Sequence, residues 1–375
     1  MPSTLQLNRF FTQEFYQSVK SVLTENGIFS FTLPGSLSYI NPSLRNLNGS
    51  ILNTLKDIFY VNIIPGDFNL YLAGKTEFKI SPEIFLERLK QNNISTRLLN
   101  KSRLEYRLNP SWLIWFNNSL SDYSKVRKNL DLTPSATFYS ISYWNNIFSR
   151  RLEGLFMLLD KLNFKTLALV LFIFGLALLT FNTFIFKLKG LPIGFAIATT
   201  GFVGLSFELI LIYAYQAFYG FVFAHLALLV TAFMSGLTLG GWLMTKRLEE
   251  IKHDLLFLTK IELAIIGFCV MLGPLLLYLG RLASINFSFV LFVLSAIAGY
   301  LVGSEFPLAN KIYRQNGGHR QTSGILYALD LFGAWLAALV VSVVLVPVIG
   351  ILKTCILLIA LKIISLTLVT LKSKT

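Results

Sequence analysis

The chain has 375 residues, of which 54% are hydrophobic and 14% charged, and its formal net charge is +14. That is too apolar for a soluble globule and points to a membrane protein. The charge divides evenly, +7 before residue 166 and +7 after, where 14 basic residues face 7 acidic ones; basic loops beside a bilayer account for it without nucleic acid.

Up to about Lys165 the chain is mixed and polar. Thr12 caps a helix expected over 13–24, with Phe15, Val19 and Leu23 on its apolar face. Asn26-Gly27 ends it, and residues 28–33 read as a buried strand stopped by Pro34-Gly35. A second helix is expected over 47–59, with Ile51, Leu52, Leu55 and Ile58 on one face. Residues 60–64 form a strand, Pro65-Gly66-Asp67 turns it, and residues 68–73 come straight back as the second arm of a hairpin. Ser81-Pro82 opens another helix, and the chain to about 160 reads as mostly helical.

From Thr166 onward seven apolar runs are long enough to cross a bilayer, at about 166–186, 191–214, 220–244, 257–280, 285–308, 323–346 and 350–371. Residues 215–220 make an uncharged aromatic turn suited to an interface. Gly236 and Gly240, four apart and followed by Gly241, offer a flat face for close helix packing.

If the spans alternate, Lys187, Lys189, Lys246, Arg247, Lys252, Lys260, Lys311, Arg314, Arg320, Lys372 and Lys374 share one face, leaving little on the other besides Arg281 and Lys353. Basic loops mark the cytoplasm, so a plasma-membrane protein with a cytoplasmic C-terminus is expected. An odd number of spans then puts residues 1–165 outside, unless 166–186 does not cross fully; the side of the polar half stays open.

Four ionisable residues stand out within the spans: Glu208, His225, Glu305 and Asp330. Charge is expensive in lipid, so such groups face a protein interior or a water cavity. They read either as a proton or cation relay, or as interhelical hydrogen bonds that fix the bundle. Cys269 and Cys355 both lie inside apolar runs and read as packing residues. Three histidines are too few and too scattered for a metal site, and no catalytic set, cofactor or metal is expected.

The order helix, strand, helix, strand, turn, strand is that of the back end of a Rossmann-like, methyltransferase-type sheet, whose final pair is antiparallel. The Gly-rich first turn and the acidic residue at the next strand end, which such folds use to hold a nucleoside, are not among these residues. Residues 2–16, then 26–31, then Ile64-Pro65-Gly66, resemble the second half of the spermidine synthase (aminopropyltransferase) domain, closest to large bacterial membrane proteins in which that domain is fused to transmembrane helices. The membrane half resembles the helices following that domain at 200–208, 232–240, 303–309 and 326–333.

The resemblance implies transfer of an aminopropyl group from decarboxylated S-adenosylmethionine to a polyamine. It also implies that the nucleoside loop and the Asp acting as base lie upstream of Pro2, with Met1 where a second Asp would stand. Tyr60, Asp67 and Tyr71 make poor replacements, since Asp is common in turns for local reasons. The expected architecture is therefore mixed. Residues 1–80 are an incomplete Rossmann-like α/β half-domain, 81–165 a mostly helical extension, and 166–375 an all-α bundle of about seven transmembrane helices. Alone the chain is expected to be inactive as a transferase. Its expected partners are the lipid bilayer and a separate chain carrying the missing half of the sheet. The alternatives are a transporter-like or a structural membrane protein with a vestigial polar domain.

Overall fold

Side-chain caps start most of the early helices. Thr4 Oγ1 accepts the Leu7 N–H at 3.3 Å at the start of α1 (Leu5–Asn8). Thr12 Oγ1 accepts the Phe15 N–H at 3.4 Å at the start of α2 (Gln13–Val22). Asn41 caps α3 (Pro42–Leu55), accepting the Leu44 N–H at 2.8 Å. This helix begins five residues before the expected 47 because Asn41-Pro42 is itself a start signal: a cap followed by a ring whose missing N–H costs nothing there.

The computed structural model describes residues 1–181, 190–220, 223–282, 288–315 and 322–373. The expected basic positions Lys187, Lys189, Arg320 and Lys374, and the expected span segments 182–186, 221–222 and 285–287, lie outside the described residues. The chain divides into two compact units, Met1–Leu158 and Leu159–Thr375.

In the first unit β1 (Ile28–Pro34), β2 (Tyr60–Ile64) and β3 (Phe68–Gly74) form one sheet in the order β1-β3-β2. Both pairings are antiparallel, with Tyr71 opposite Phe31 on one side and Ile63 on the other. The expected hairpin is therefore present. β1 and β2 run parallel to each other with β3 between them, and among the described residues β1 is paired along one edge only. Phe31 stacks on Tyr71 at 5.0 Å and on Tyr16 of α2 at 6.2 Å. Tyr16, rather than the half-buried Phe15, Val19 and Leu23, is the fully buried residue of α2.

The remaining helices of this unit are α4 (Pro82–Gln91), α5 (Lys101–Arg107), α6 (Pro110–Ser119), α7 (Ser135–Phe148) and the start of α8 (Arg150–Asp160). The buried hydroxyls of Ser43 and Ser142, 2.9 Å apart, tie α7 to α3. Buried Asn129 donates to the Phe11 carbonyl at 2.9 Å and accepts from the Ala136 N–H at 3.1 Å. Residues up to 158 thus pack into the first unit.

The second unit holds α9 (Phe164–Thr180), α10 (Leu191–Tyr219), α11 (Phe223–Arg247), α12 (Asp254–Arg281), α13 (Ser288–Gln315), α14 (Thr322–Val340) and α15 (Ile351–Ser373). α14 continues as a π-helical stretch over Val341–Ile349. Among the described residues six helices are long and apolar enough to cross a membrane, or seven if the broken pair Arg151–Asp160 and Phe164–Thr180 is one span. By length and composition this is a multi-pass membrane protein.

The closest-packed helix pairs are α10 with α14, α11 with α13, and α12 with α15. Glycine sets the first two. A Cβ on Gly236 would lie 2.0 Å from the Ala296 carbonyl oxygen, and one on Gly240 2.2 Å from that of Tyr300. Gly299 and Gly303 of α13 return the contact, at 2.0 Å from Phe233 O and 2.1 Å from Leu237 O. The expected flat face thus meets a second face with the same spacing, and the backbones touch. Gly201 and Gly333 do the same for α10 and α14. The 215–220 turn stays helical to Tyr219 and ends at Gly220, whose φ of 85° suits glycine.

Candidate functional site

The centre of the second unit is charged. Lys362, in the middle of α15, is fully buried, as are Glu262 of α12 and Glu305 of α13. The Lys362 Nζ stands 3.1 Å from Glu262 Oε2 and 3.5 Å from Glu305 Oε2. Thr200 of α10 donates to Glu305 Oε2 at 2.7 Å and accepts a short hydrogen bond from Lys362. Ser365, three residues beyond the lysine, donates to Glu262 Oε1 at 2.7 Å.

Four helices therefore meet at one polar point. Each group sits roughly eight to eleven residues in from the same end of the bundle, about 12–17 Å at 1.5 Å per residue. That end carries Lys246 and Arg247 on α11 and Arg314 on α13. Lys311 clamps it, donating to Leu248 O at 2.7 Å and to Asp254 at 2.7 Å.

The charges do not balance. Two carboxylates face one ammonium where no side chain reaches solvent. Glu262 Oε2 and Glu305 Oε1 are buried without a hydrogen-bond partner among the described residues, although the first lies in ion-pair range of the lysine. A buried ion pair offsets its desolvation only when geometry and surrounding hydrogen bonds are good. Here Glu262 is the better held of the two acids.

The four expected residues meet different fates. Glu305 lies in the cluster. Asp330 is half-buried beside it: its Oδ1 lies 2.6 Å from where a Cβ on Gly201 would stand, and it is within electrostatic reach of Lys362. Glu208 is buried eight residues beyond Thr200 along α10, about 12 Å away. His225 is elsewhere, in a cluster of three rings with Tyr215 at 5.7 Å and Phe292 at 6.2 Å, and its Nδ1 is buried without a hydrogen-bond partner among the described residues. Glu262 and Lys362 were not among the expected residues, although both stand inside the marked runs 257–280 and 350–371. The available signal was the charge itself.

Cys269 and Cys355 are buried and unbonded. Among the described residues no group of three or more His, Cys, Asp or Glu side chains is placed to hold a metal.

The first unit carries a neutral polar centre instead. Tyr71 donates to Asn48 Oδ1 at 2.9 Å, Asn69 donates to the same oxygen at 3.0 Å, and Asn48 donates to Pro34 O at 3.1 Å. Burial pushes the Tyr71 phenol up, away from reactivity at neutral pH. Tyr60 and Asp67 are exposed at the surface, so the three side chains weighed as replacement catalytic groups form no common site.

Compared with known proteins, the chain matches no family model, no curated protein and no solved structure.

Proposed function

We propose that the helical bundle is the working part of this chain and that it acts as a transporter-like membrane protein, passing a proton or small cation by way of its central cluster. The observation that carries this is the fully buried Lys362 held between Glu262 and Glu305. Burying three charges at membrane depth is costly, and such groups concentrate where ions or protons move. Asp330 of α14 stands beside Gly201 of α10, and Glu208 is a further buried carboxyl about 12 Å beyond Thr200 on α10.

The test is reconstitution into liposomes with an imposed pH or cation gradient and an internal fluorescent reporter. Glu305→Gln should abolish flux and Glu208→Gln reduce it. Equal flux in empty vesicles, wild type and both variants would overturn the reading.

A second reading concerns ancestry, and the sheet favours it. A last strand inserted antiparallel between two mutually parallel strands is an order that the back end of a methyltransferase-type sheet also has, which supports this reading. β1 carries no charged residue along its open edge (Ile-Phe-Ser-Phe-Thr-Leu-Pro), which leaves it suited to further pairing. On this reading the first unit is an aminopropyltransferase-like half-domain. Transferase chemistry would need residues beyond these three strands, on strands added beside β1. Co-expression with a reading frame from directly upstream, followed by co-purification, tests it; failure of any such product to bind counts against it.

The basic end of the bundle then faces the cytoplasm of a plasma membrane. Cysteine labelling at position 252 from outside intact cells should fail, and labelling there would reverse the orientation.

A further inference from the structure

We propose that the cluster holds one exchangeable proton per chain, carried by Glu305, with Lys362 as a fixed counter-charge to Glu262. This rests on the reading above that the cluster is the working centre, and it names the ion.

Glu262 receives the closer approach of the lysine, 3.1 Å against 3.5 Å, and the Ser365 hydroxyl at 2.7 Å. Lys362 and Ser365 share α15, which packs directly on α12. The α12–α15 pair is thus electrically closed. Glu305 arrives from a different pair, α11–α13, and brings the uncompensated charge. Its Oε2 takes the Thr200 hydroxyl, and its Oε1 is left with no partner although the side chain is fully buried. One lysine shared by two carboxylates leaves a net negative charge at membrane depth, which is the arrangement physical chemistry least allows. A proton on Glu305 brings the cluster from −1 to neutral without enlarging it.

A metal cation fits poorly. The space between the carboxylates is filled by the Lys362 ammonium, which would repel a second cation and denies it the ring of oxygens it needs. The groups facing the cluster from each packed helix are Thr200 on α10, Glu262 on α12, Glu305 on α13, and Lys362 and Ser365 on α15. Asp330 of α14 and Cys269 of α12 lie within electrostatic reach of the lysine, with Cys355 beyond them. None adds a positive charge, so the only compensating group is already committed.

Charge counting then makes a numerical prediction. The number of protonated carboxyls in the cluster equals its acids minus its lysines. The experiment is infrared difference spectroscopy of the purified full-length protein in lipid nanodiscs, in sodium, potassium and choline buffers of equal ionic strength. Wild type should show one protonated-carboxyl band that is missing from Glu305→Gln. Glu262→Gln should lose it as well, because Lys362 then neutralises Glu305. Lys362→Gln should show two.

Loss of a carboxylate band rather than a carboxyl band in Glu305→Gln would overturn the proposal. So would a wild-type band that vanishes in sodium or potassium but not in choline, which would mean a bound cation. Glu305→Gln should fold, since it mimics the protonated acid at the same size, and its failure to elute as a monodisperse species would also count against the idea. If the band is present while liposome flux is absent, the proton site stands and the transport reading falls.

Discussion

The two units each bury a polar centre, and they do it in opposite ways. In the first, Asn48, Asn69 and Tyr71 close a neutral network in which one carboxamide oxygen serves two donors. In the second, three charges meet with two oxygens left over. A neutral network that is complete adds specificity and little else: each hydrogen bond is worth about 1 kcal/mol net. A charged cluster with an excess acid adds less to stability than it costs, so its presence asks for a use. The contrast separates a complete neutral core from a charged one that carries an excess acid.

The largest test of that contrast is Lys362→Met. It strips the shared counter-ion from both acids, and by the usual cost of breaking a buried pair should destabilise the bundle by about 3–5 kcal/mol. Thermal unfolding in detergent should show the loss, and adding Glu262→Gln with Glu305→Gln should restore most of it. No recovery would mean the lysine stem, and not its charge, is what matters.

Gly303→Val comes next. Its branched side chain would meet the Leu237 backbone, where even a Cβ falls 2.1 Å from the carbonyl oxygen. Forced separation of α11 from α13 should cost about 2–3 kcal/mol and shift Glu305 away from the lysine.

The first unit has its own pH lever at the Glu14–Asp131 contact, where Asp131 N–H donates to Glu14 Oε2 at 3.1 Å. Burial, then the Glu14 carboxylate, pushes the Asp131 carboxyl up to about 7. The folded state keeps a proton there that the unfolded chain releases near pH 4. The Asp131 contribution to stability is therefore fully present below about pH 4 and is lost as pH rises towards about 7, by about 1–2 kcal/mol. Hydrogen exchange across residues 12–16 and 129–137 should quicken over that range, and Asp131→Asn should flatten the profile.

The smallest effect is Tyr71→Phe. Asn48 Oδ1 still receives Asn69, so the loss should be about 1 kcal/mol and independent of pH below 9. A larger or pH-dependent loss would make the neutral network resemble the charged one and weaken the comparison.

What could be read in the sequence follows range of interaction. The hairpin was legible because Pro65-Gly66-Asp67 punctuates two apolar runs that are neighbours in the chain. The caps at Thr12 and Ser81 are legible for the same reason, and α3 starts at the local signal Asn41-Pro42, five residues ahead of the expected 47. That β1 pairs with β3 rather than with β2 is a choice made across about 40 residues, and no local pattern encodes it. In the bundle, Glu305 was legible as a charge inside an apolar run. Its meeting with Lys362 depends on how four helices rotate about their axes, and their nearly all-round apolar surfaces leave that rotation unspecified by periodicity. The Gly236 and Gly240 face was visible, and its partner carries the same four-residue spacing at Gly299 and Gly303.

That glycine seam has a mechanical meaning. Where backbones touch at four points, α11 and α13 can move only as a single slab. Glu305, two positions after Gly303, is bolted to that slab, while Glu262 and its lysine ride on another. A slide of one slab past the other would drag the Glu305 carboxyl across the gap, and on the proposal above a proton on Glu305 would lower its cost.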